Sequence, residues 1–338
     1  MPPWGSRVKF PRIKLDWFLS GMVIAIVLAA LFPSPGAQGG WLHPELLTKT
    51  GIALVFFLNG AVLSFGALRD GVMRWRLHLI IQSTTFVLFP LIGLAFLAVA
   101  GRWITPDLRL GLFYLCAIPS TVSSSVAMTA AAKGNVPVAV FNATLSSLIG
   151  IVLTPLWMSL LLRTSGQHLD VVHVFIDLTL WLVLPLVVGQ LMRPLIGKWL
   201  AAHKKLTQVA DRGTILILVY TSFCDSFATH IWSANSPATL ALVVAATLGL
   251  FFLVLGLLWK LCDRFGIAPA FRSAVVFCGT KKSLASGVPM AHLIFAANPA
   301  GLGLILLPIM IYHPLQLLIC TPLASRWSRQ TEDSSLGA

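Results

Sequence analysis

Two adjacent lysines, Lys281 and Lys282, interrupt the apolar segment VVFCGTKKSLASG at residues 275–287. A charge at the centre of a bilayer costs roughly 2.5–3.5 kcal/mol on insertion scales, so two ammonium groups need partners, water or a neutral state. A desolvated lysine can exchange a proton near neutral pH, and a charged one can bind an anion directly. The pair is therefore suited to ion coupling, to solute binding or to the neutralisation of helix ends.

The composition of the chain indicates that this pair lies in a membrane. Of the 338 residues, 57% are hydrophobic and 10% are charged, whereas roughly 25% of a soluble domain is charged. Apolar runs of about 20 residues recur, and each is long enough to cross about 30 Å of hydrocarbon. The runs lack the alternation of a membrane barrel, so we expect an all-α polytopic membrane protein.

Ten spans are predicted, and the loops between them are too short for an inserted soluble domain. The spans cover residues 16–33, 49–66, 78–100, 109–132, 136–162, 172–192, 213–232, 238–260, 269–296 and 299–324.

The basic residues predict the orientation of these spans. With the N-terminus in the cytoplasm, most of the 24 Lys and Arg residues fall on the cytoplasmic side. Only Lys49, Arg102, Arg109 and Arg163 fall on the other side, as the positive-inside rule requires. This bias places both termini in the cytoplasm. It also accounts for the net charge of +13 without a nucleic-acid partner.

Ten spans divide into two five-span halves, residues 1–165 and 166–338, and we expect the polar tail of the second to be disordered. Because five is odd, the second half would be inverted relative to the first, a common construction among transporters. The fourth span of each half is interrupted, by Pro119 in span four and by Gly279 in span nine. Small hydroxyl residues follow both interruptions.

Interrupted helices expose backbone groups that lipid does not tolerate. Proline removes a backbone donor, glycine permits local unwinding, and the freed groups must face protein or a cavity. A simple kink explains one such helix, but two at matched positions favour a midplane site between half-helix ends. If Lys281 and Lys282 were helical, they would point about 100° apart. One would then face the crossing, and the other would reach water, a carboxylate or a helix C-terminus.

Four stretches of the chain resemble one transporter family. They are FFLNGAVLS (56–64), AIPSTVSSSVAMTAAAKGNVPVAVFNATLSSLIGIVLTP (117–155), FCGTKKSLASGVPM (277–290) and LPIMIYHPLQLL (307–318). They are similar to the bile acid:sodium symporter family, solute carrier family ten, and to its branch that holds the vertebrate seventh member. The resemblance implies two inverted five-helix repeats. Spans 1, 2, 6 and 7 would form a panel, and the other spans a core in which helices four and nine cross.

The resemblance also implies transport of an organic anion by alternating access, with sodium bound beside the crossing. The residues it implies for ion binding are Gln82, Ser123, Ser124, Ser125, Asn142 and Thr144, with Ser146 nearby. Further candidates for ion coupling, at the break of span nine, are Thr280, Lys281, Lys282 and Ser283. The candidates for the substrate cavity are Asn59, Pro119, Thr121, Asp225, Gly279, Ser286 and His313. The alternatives are contact with a neighbouring helix for Asn59, a solvated helix end for Asp225 and a paired core histidine for His313. Lys281 and Lys282 stand where relatives carry an amide pair, and the acidic residue of span nine is absent. Sodium and proton coupling, and symport and exchange, therefore stay open.

Other functions find less support in the residues. There is no HExxH or GxSxG motif, and Asp177 and Asp225 lie on different helices, so we do not expect an enzyme. A phosphate-cradling loop is also absent, which argues against ATP-driven transport. The five cysteines form no CxxC pair and are expected to be buried hydrophobic residues. We predict a secondary transporter of the bacterial inner membrane without a cofactor other than sodium; the alternative is a non-transporting regulator of ion homeostasis.

Overall fold

A computed structural model describes residues 17–62, 74–164, 171–230 and 235–336, and every element within these ranges is a helix. The predicted all-α class is therefore confirmed. The predicted boundary between the halves, at residues 165 and 166, lies outside the described residues, as do the basic residues of the N-terminus. The last helix ends at Leu336. The disorder of the polar tail stays a prediction.

The helices follow one another with short connections. They are α1 (Trp17–Leu31), α2 (Pro44–Val62), α3 (Trp75–Ser83), α4 (Phe89–Ala100), α5 (Pro106–Ala117), α6 (Ser123–Ala131), α7 (Val136–Thr164), α8 (Val171–Leu178), α9 (Leu184–Ala202), α10 (Lys204–Ala228), α11 (Pro237–Arg264), α12 (Pro269–Thr280), α13 (Leu284–Ile294) and α14 (Leu302–Leu336). A π-helical turn joins α3 to α4 and another joins α8 to α9.

Six helical stretches of the described chain are long and apolar enough to cross a membrane. They are Pro44–Val62, Trp75–Trp103, Val136–Leu162, Val172–Ala202, Pro237–Arg264 and Leu302–Arg329. Each coincides with a predicted span. Helix α1 is shorter, α10 starts with a polar turn, and spans four and nine each consist of two short helices. The arrangement as ten spans in two inverted repeats remains a prediction.

Both predicted helix breaks are present. Helix α5 ends at Ala117, and Ile118 is extended with φ −71° and ψ 157° because a residue before proline is excluded from the helical region. Helix α12 ends at Thr280, and Lys281 is extended with φ −88° and ψ 147°. The hydroxyl of Ser283 accepts a hydrogen bond from the N–H of Ser286 at 3.1 Å and starts α13.

The π-helical turn Thr84–Leu88 leaves one carbonyl without a helical partner. The N–H of Phe89 donates to Thr84 O, one residue further back than in an α-helix. The next residue, Pro90, has no N–H. The carbonyl of Thr85 is therefore free to accept a hydrogen bond from outside the helix.

We call α1, α2 and α8–α10 the panel helices and the remaining nine of the described chain the core helices. Within the panel, α2 and α9 pack with their backbones in contact. A Cβ atom on Gly60 would collide with Leu186 O, and one on Gly189 would collide with Phe57 O. Glycine at these two positions lets the panel form a close-packed wall opposite the core.

Candidate functional site

The two broken helices hydrogen-bond to each other where they cross. The hydroxyl of Ser120, just after the break in span four, donates to Cys278 O at 2.6 Å. In return, the N–H of Ser283, just after the break in span nine, donates to Pro119 O at 2.9 Å. Each break thus supplies the partner that the other break needs, so unwinding leaves these buried backbone groups paired.

The ammonium of Lys282 binds three backbone carbonyls at this crossing. Its Nζ lies 2.8 Å from Cys116 O, 2.8 Å from Ile118 O and 3.0 Å from Thr85 O. It also lies 4.1 Å from the centroid of the Phe89 ring, within the range of a cation–π contact. Lys282 therefore ties the C-terminal end of α5 to the π-helical turn of span three.

The local sequence explains why these carbonyls are available. The carbonyl of Cys116 would bond to Ser120 N in a continuous helix, but that N–H donates to Ser146 Oγ at 2.9 Å. The carbonyl of Ile118 lies beyond the end of α5, and that of Thr85 is freed by the π-helical turn before Pro90. The carbonyls of Cys116 and Ile118 also lie at the negative end of α5, where a cation is stabilised.

The ammonium of Lys281 has fewer partners. Its Nζ lies 2.9 Å from Ser124 O and 2.8 Å from Met128 Sδ, and 5.4 Å from the centroid of the Phe277 ring. Both lysine side chains are 0% exposed.

The expected helical geometry of the pair is wrong, because the segment between α12 and α13 is extended. Successive side chains of extended backbone point to opposite sides. Lys281 therefore reaches α6 while Lys282 reaches the end of α5. Both lysines face the crossing, and Lys282 uses the helix C-terminus that was one of its three predicted destinations.

Residues of α14 that sequence reasoning did not single out hold the segment between α12 and α13 in place. The side chain of Gln316 accepts from Lys282 N at 2.9 Å and donates to Lys282 O at 3.0 Å. The hydroxyl of Tyr312 donates to Thr280 O at 2.6 Å. The predicted residue His313 lies beside them, with its Nδ1 3.0 Å from Gln316 Nε2. Both missed residues stand in the stretch LPIMIYHPLQLL, so its polar residues were the available signal.

The hydroxyl residues of span four also serve the crossing. Ser125 Oγ donates to Phe277 O at 3.0 Å, and Thr121 Oγ1 lies 2.7 Å from Ser124 Oγ and 2.8 Å from Ser125 Oγ. The predicted residue Thr280 bonds within its own helix. These groups therefore fix the half-helices relative to one another.

The predicted residues of spans three and five form a separate cluster. Gln82 Nε2 donates to Asn142 O at 3.0 Å, and the Asn142 amide lies 2.9 Å from His78 Nδ1. Among the described residues, Gln82 Oε1 and Thr144 Oγ1 are buried without a hydrogen bond. None of these hydrogen bonds includes Lys281 or Lys282, so the structure does not bring this cluster and the lysines into one ligand set.

A cavity of about 920 Å³ lies between the panel and the core. Its walls come from α2, α9 and α10 of the panel and from Ser123 of α6. The predicted residue Asn59 lines it, together with Gln190 and Gln208. Four charged residues also line it: Arg193, Lys198, Lys204 and Asp211. The lining is thus largely apolar, and three of its four charged groups are cationic.

Most residues predicted for the cavity lie elsewhere. The half-helices pack against each other rather than against a solute. The predicted residues that therefore belong to the crossing or its support are Pro119, Thr121, Gly279, Ser286 and His313. Asp225, at the far end of α10, accepts a hydrogen bond from the N–H of Gln38 at 2.7 Å. It therefore joins the loop between α1 and α2 to α10, outside the cavity.

Panel and core are hydrogen-bonded at the end of α10 away from the cavity. Ser222 Oγ lies 2.8 Å from His292 Nε2 of α13, and Ser226 Oγ donates to Ala300 O at 2.6 Å. Ser226 follows Asp211 by 15 residues, or about 22 Å along the helix. Panel and core are therefore hydrogen-bonded at the end of α10 that lies away from the cavity.

Comparison with known proteins gives a consistent result over nearly the whole chain. A family model described as the SBF-like CPA transporter family matches residues 16–329. The Pseudomonas aeruginosa protein PA2026, named as uncharacterized, is 39% identical over 96% of both chains. YfeH of Escherichia coli K12, named as a candidate symporter, is 39% identical over 94% of both chains. "Sodium/bile acid cotransporter 7" of Rattus norvegicus is 36% identical over 94% of this chain and 96% of its own.

These matches agree with the resemblance found in the sequence. They also agree with the apolar helices and with the absence of an enzymatic motif, since the family consists of transporters rather than enzymes. This membrane protein therefore belongs to the SBF-like CPA transporter family.

Proposed function

We propose that this protein is a secondary active transporter that moves a small organic anion by alternating access through the cavity between panel and core. Relatives named as cotransporter and symporter support the class of activity. The side chains of Arg193, Lys198 and Lys204 support an anionic solute, because charge complementarity favours it. In the predicted orientation, this end of the protein faces the cytoplasm, and the membrane is the bacterial inner membrane.

The observation that carries the proposal is the set of three carbonyls around Lys282. An ammonium has three N–H donors, whereas a neutral amine has two and a lone pair. Three acceptors within 3.0 Å of Nζ therefore fit the charged form. The protein itself supplies a cation, through this side chain, to the place where its half-helices meet.

The same residues do not fit a bound sodium ion. The free carbonyls of the crossing already accept from Lys282, and Ser124 O accepts from Lys281. Among the described residues, no carboxylate forms a hydrogen bond or an ion pair with either lysine. We therefore expect transport in the absence of sodium, with the Lys282 ammonium as the substitute for the ion.

The test is counterflow and uptake in proteoliposomes with labelled taurocholate, succinate and glycerol 3-phosphate as probes. Wild type should move at least one of them in potassium buffer at a rate within about twofold of that in sodium buffer. Lys282→Met should lose this activity, whereas the matched control Lys260→Met, at the exposed end of α11, should keep it.

Two outcomes count against these expectations separately. A strict sodium requirement would refute the substitution of sodium by Lys282 but leave transport in place. If folded protein moves none of the probes under any gradient or in counterflow, the transport proposal fails, and a non-transporting regulator becomes the better interpretation.

A further inference from the structure

One charge of the cavity has the opposite sign to the others. Asp211 lies on α10, two residues before the predicted span 213–232. It lines the same cavity as Arg193, Lys198 and Lys204. Within the described residues, none of these four groups forms an ion pair. A cationic cavity that retains one buried carboxylate invites the question of what that carboxylate binds.

The carboxylate of Asp211 is incompletely paired. Its Oδ1 atom is buried and accepts no hydrogen bond in the part of the chain that the structure describes. A buried oxygen of this kind gains from a proton or from a donor on a ligand. Asp211 therefore lines the cavity while one of its oxygens is shielded from it and lacks a hydrogen bond.

The charged and titratable groups around Asp211 are few. Arg212 is its neighbour in sequence, with its guanidinium over the rings of Trp17 and Phe18 on α1. Lys204 lies on the same helix, and the two other cations of the cavity, Arg193 and Lys198, lie across it on α9.

The other elements packed against α10 bring more distant groups. Helix α2 carries Glu45 and Lys49 at its N-terminal end, whereas its C-terminal end lines the cavity. Lys49 lies over the Trp181 ring. Helices α13 and α14 bring His292 and His313, which are paired with Ser222 and Gln316. Helix α1 brings no charged side chain within its described residues.

Burial raises the pKa of Asp211 from 3.8 to about 6, although the nearby Arg212 guanidinium opposes this shift. Asp211 precedes the predicted span and lines the cavity. A pKa in this range lies close to physiological pH, so the charge of the cavity wall changes with modest changes in pH.

We propose that Asp211 is the proton-binding group of the transport cycle, so that the anionic solute and a proton enter the same cavity and each favours the binding of the other. Ionised Asp211 repels an anion, and protonated Asp211 does not. By linkage, an anion that binds more tightly to the protonated form raises the proton affinity of Asp211 by the same factor. The cavity is then loaded with an anion and a proton together, as in proton symport.

The size of the effect follows from the protonated fraction. That fraction is roughly three-quarters at pH 5.5 and about 3% at pH 7.5. If only the protonated form binds the anion, the apparent affinity is about 25-fold higher at pH 5.5 than at pH 7.5. Asp211→Asn, which is permanently neutral, should show an affinity that does not change with pH.

This inference rests on the proposed transport function. Its test therefore uses whichever of taurocholate, succinate and glycerol 3-phosphate the wild type moves in counterflow. Proton movement is recorded with pyranine trapped in the proteoliposomes. Wild type should take up protons with the anion and accumulate the anion when the lumen is alkaline. Asp211→Asn should lose proton-driven accumulation at least tenfold and should take up no protons with the anion. The control Asp177→Asn, on α8 outside the cavity, should behave as wild type.

Two results would overturn the inference while transport stands. One is net uptake of the anion by wild type without proton uptake; the other is undiminished proton-driven accumulation by Asp211→Asn. If wild type moves no probe even in counterflow, the transport proposal itself fails, and this inference fails with it. Counterflow therefore separates the two failures.

Discussion

The two lysines of the crossing should differ in what they contribute to stability. Lys282→Met removes the donor to three carbonyls, whereas Lys281→Met removes the donor to one carbonyl and one thioether. Both wild-type side chains are fully buried, so the cost of removing an ammonium from water largely cancels when the two variants are compared. The remaining difference is that Lys282→Met leaves two more buried carbonyls without a hydrogen bond than Lys281→Met does.

Each buried acceptor that loses its partner costs about 1–3 kcal/mol. The variant Lys282→Met should therefore lose about 2–6 kcal/mol more than Lys281→Met in its free energy of unfolding. The assay is denaturant unfolding of the purified protein in detergent, followed by tryptophan fluorescence, with Lys260→Met as the exposed lysine control. The control should change by no more than about 0.5 kcal/mol. Equal losses for the two buried lysines, or a larger loss for Lys281→Met, would refute the assignment of Lys282 as the principal cation of the crossing.

Three further predictions concern other parts of the fold. Asp211→Asn should exceed wild type in unfolding free energy by up to about 3 kcal/mol above pH 6 and by nothing near pH 4. Burial raises the folded-state pKa of Asp211 from 3.8 to about 6, so wild type loses stability as the pH rises through that range. A difference that stays constant with pH would contradict this. Tyr312→Phe orphans Thr280 O and should cost about 1–3 kcal/mol in the same assay, and a neutral result would show that another group caps that carbonyl. Gly189→Val should prevent folding because its Cβ collides with Phe57 O, with the yield of monodisperse protein in size-exclusion chromatography as the measurement; normal yield would show that α2 and α9 separate easily.

The sequence identifies the broken helices because their cause is local. A residue before Pro119 must be extended, and that rule holds whatever surrounds it. The interruption at Gly279 is predicted from its matched position and from the lysines that follow. In the structure the break lies just after it, at the extended Lys281. Local chemistry thus predicts where the chain unwinds to within two residues.

The partners of the lysines were not predictable in the same way. Thr85 precedes Lys282 by 197 residues, and Gln316 follows it by 34. Whether they meet depends on how the core helices pack. The carbonyl of Thr85 becomes available only through the π-helical turn before Pro90. The expected angle between the lysines was wrong because it assumed a helix at residues that the break had already made extended.

Asp211 was missed for a different reason. It stands in the polar turn ahead of a span, where a carboxylate is normally solvated, and its burial arises from the walls of α2 and α9 around it. Asn59 was found because an amide inside an apolar span is conspicuous. Sequence patterns reveal polar residues in apolar segments more readily than partly buried residues at the ends of spans.

The cation at the crossing is attached to its binding site by a covalent tether. The occupancy of a site for a free ion follows the concentration of that ion on the side to which the site is open. A tethered ammonium has a high effective concentration that neither side of the membrane can change. The core held together by Lys282 therefore stays assembled in salt-free medium as well as in brine. If the Lys282 ammonium replaces the ion as proposed, this position of the protein carries no such ion across and neither uses nor dissipates an ionic gradient.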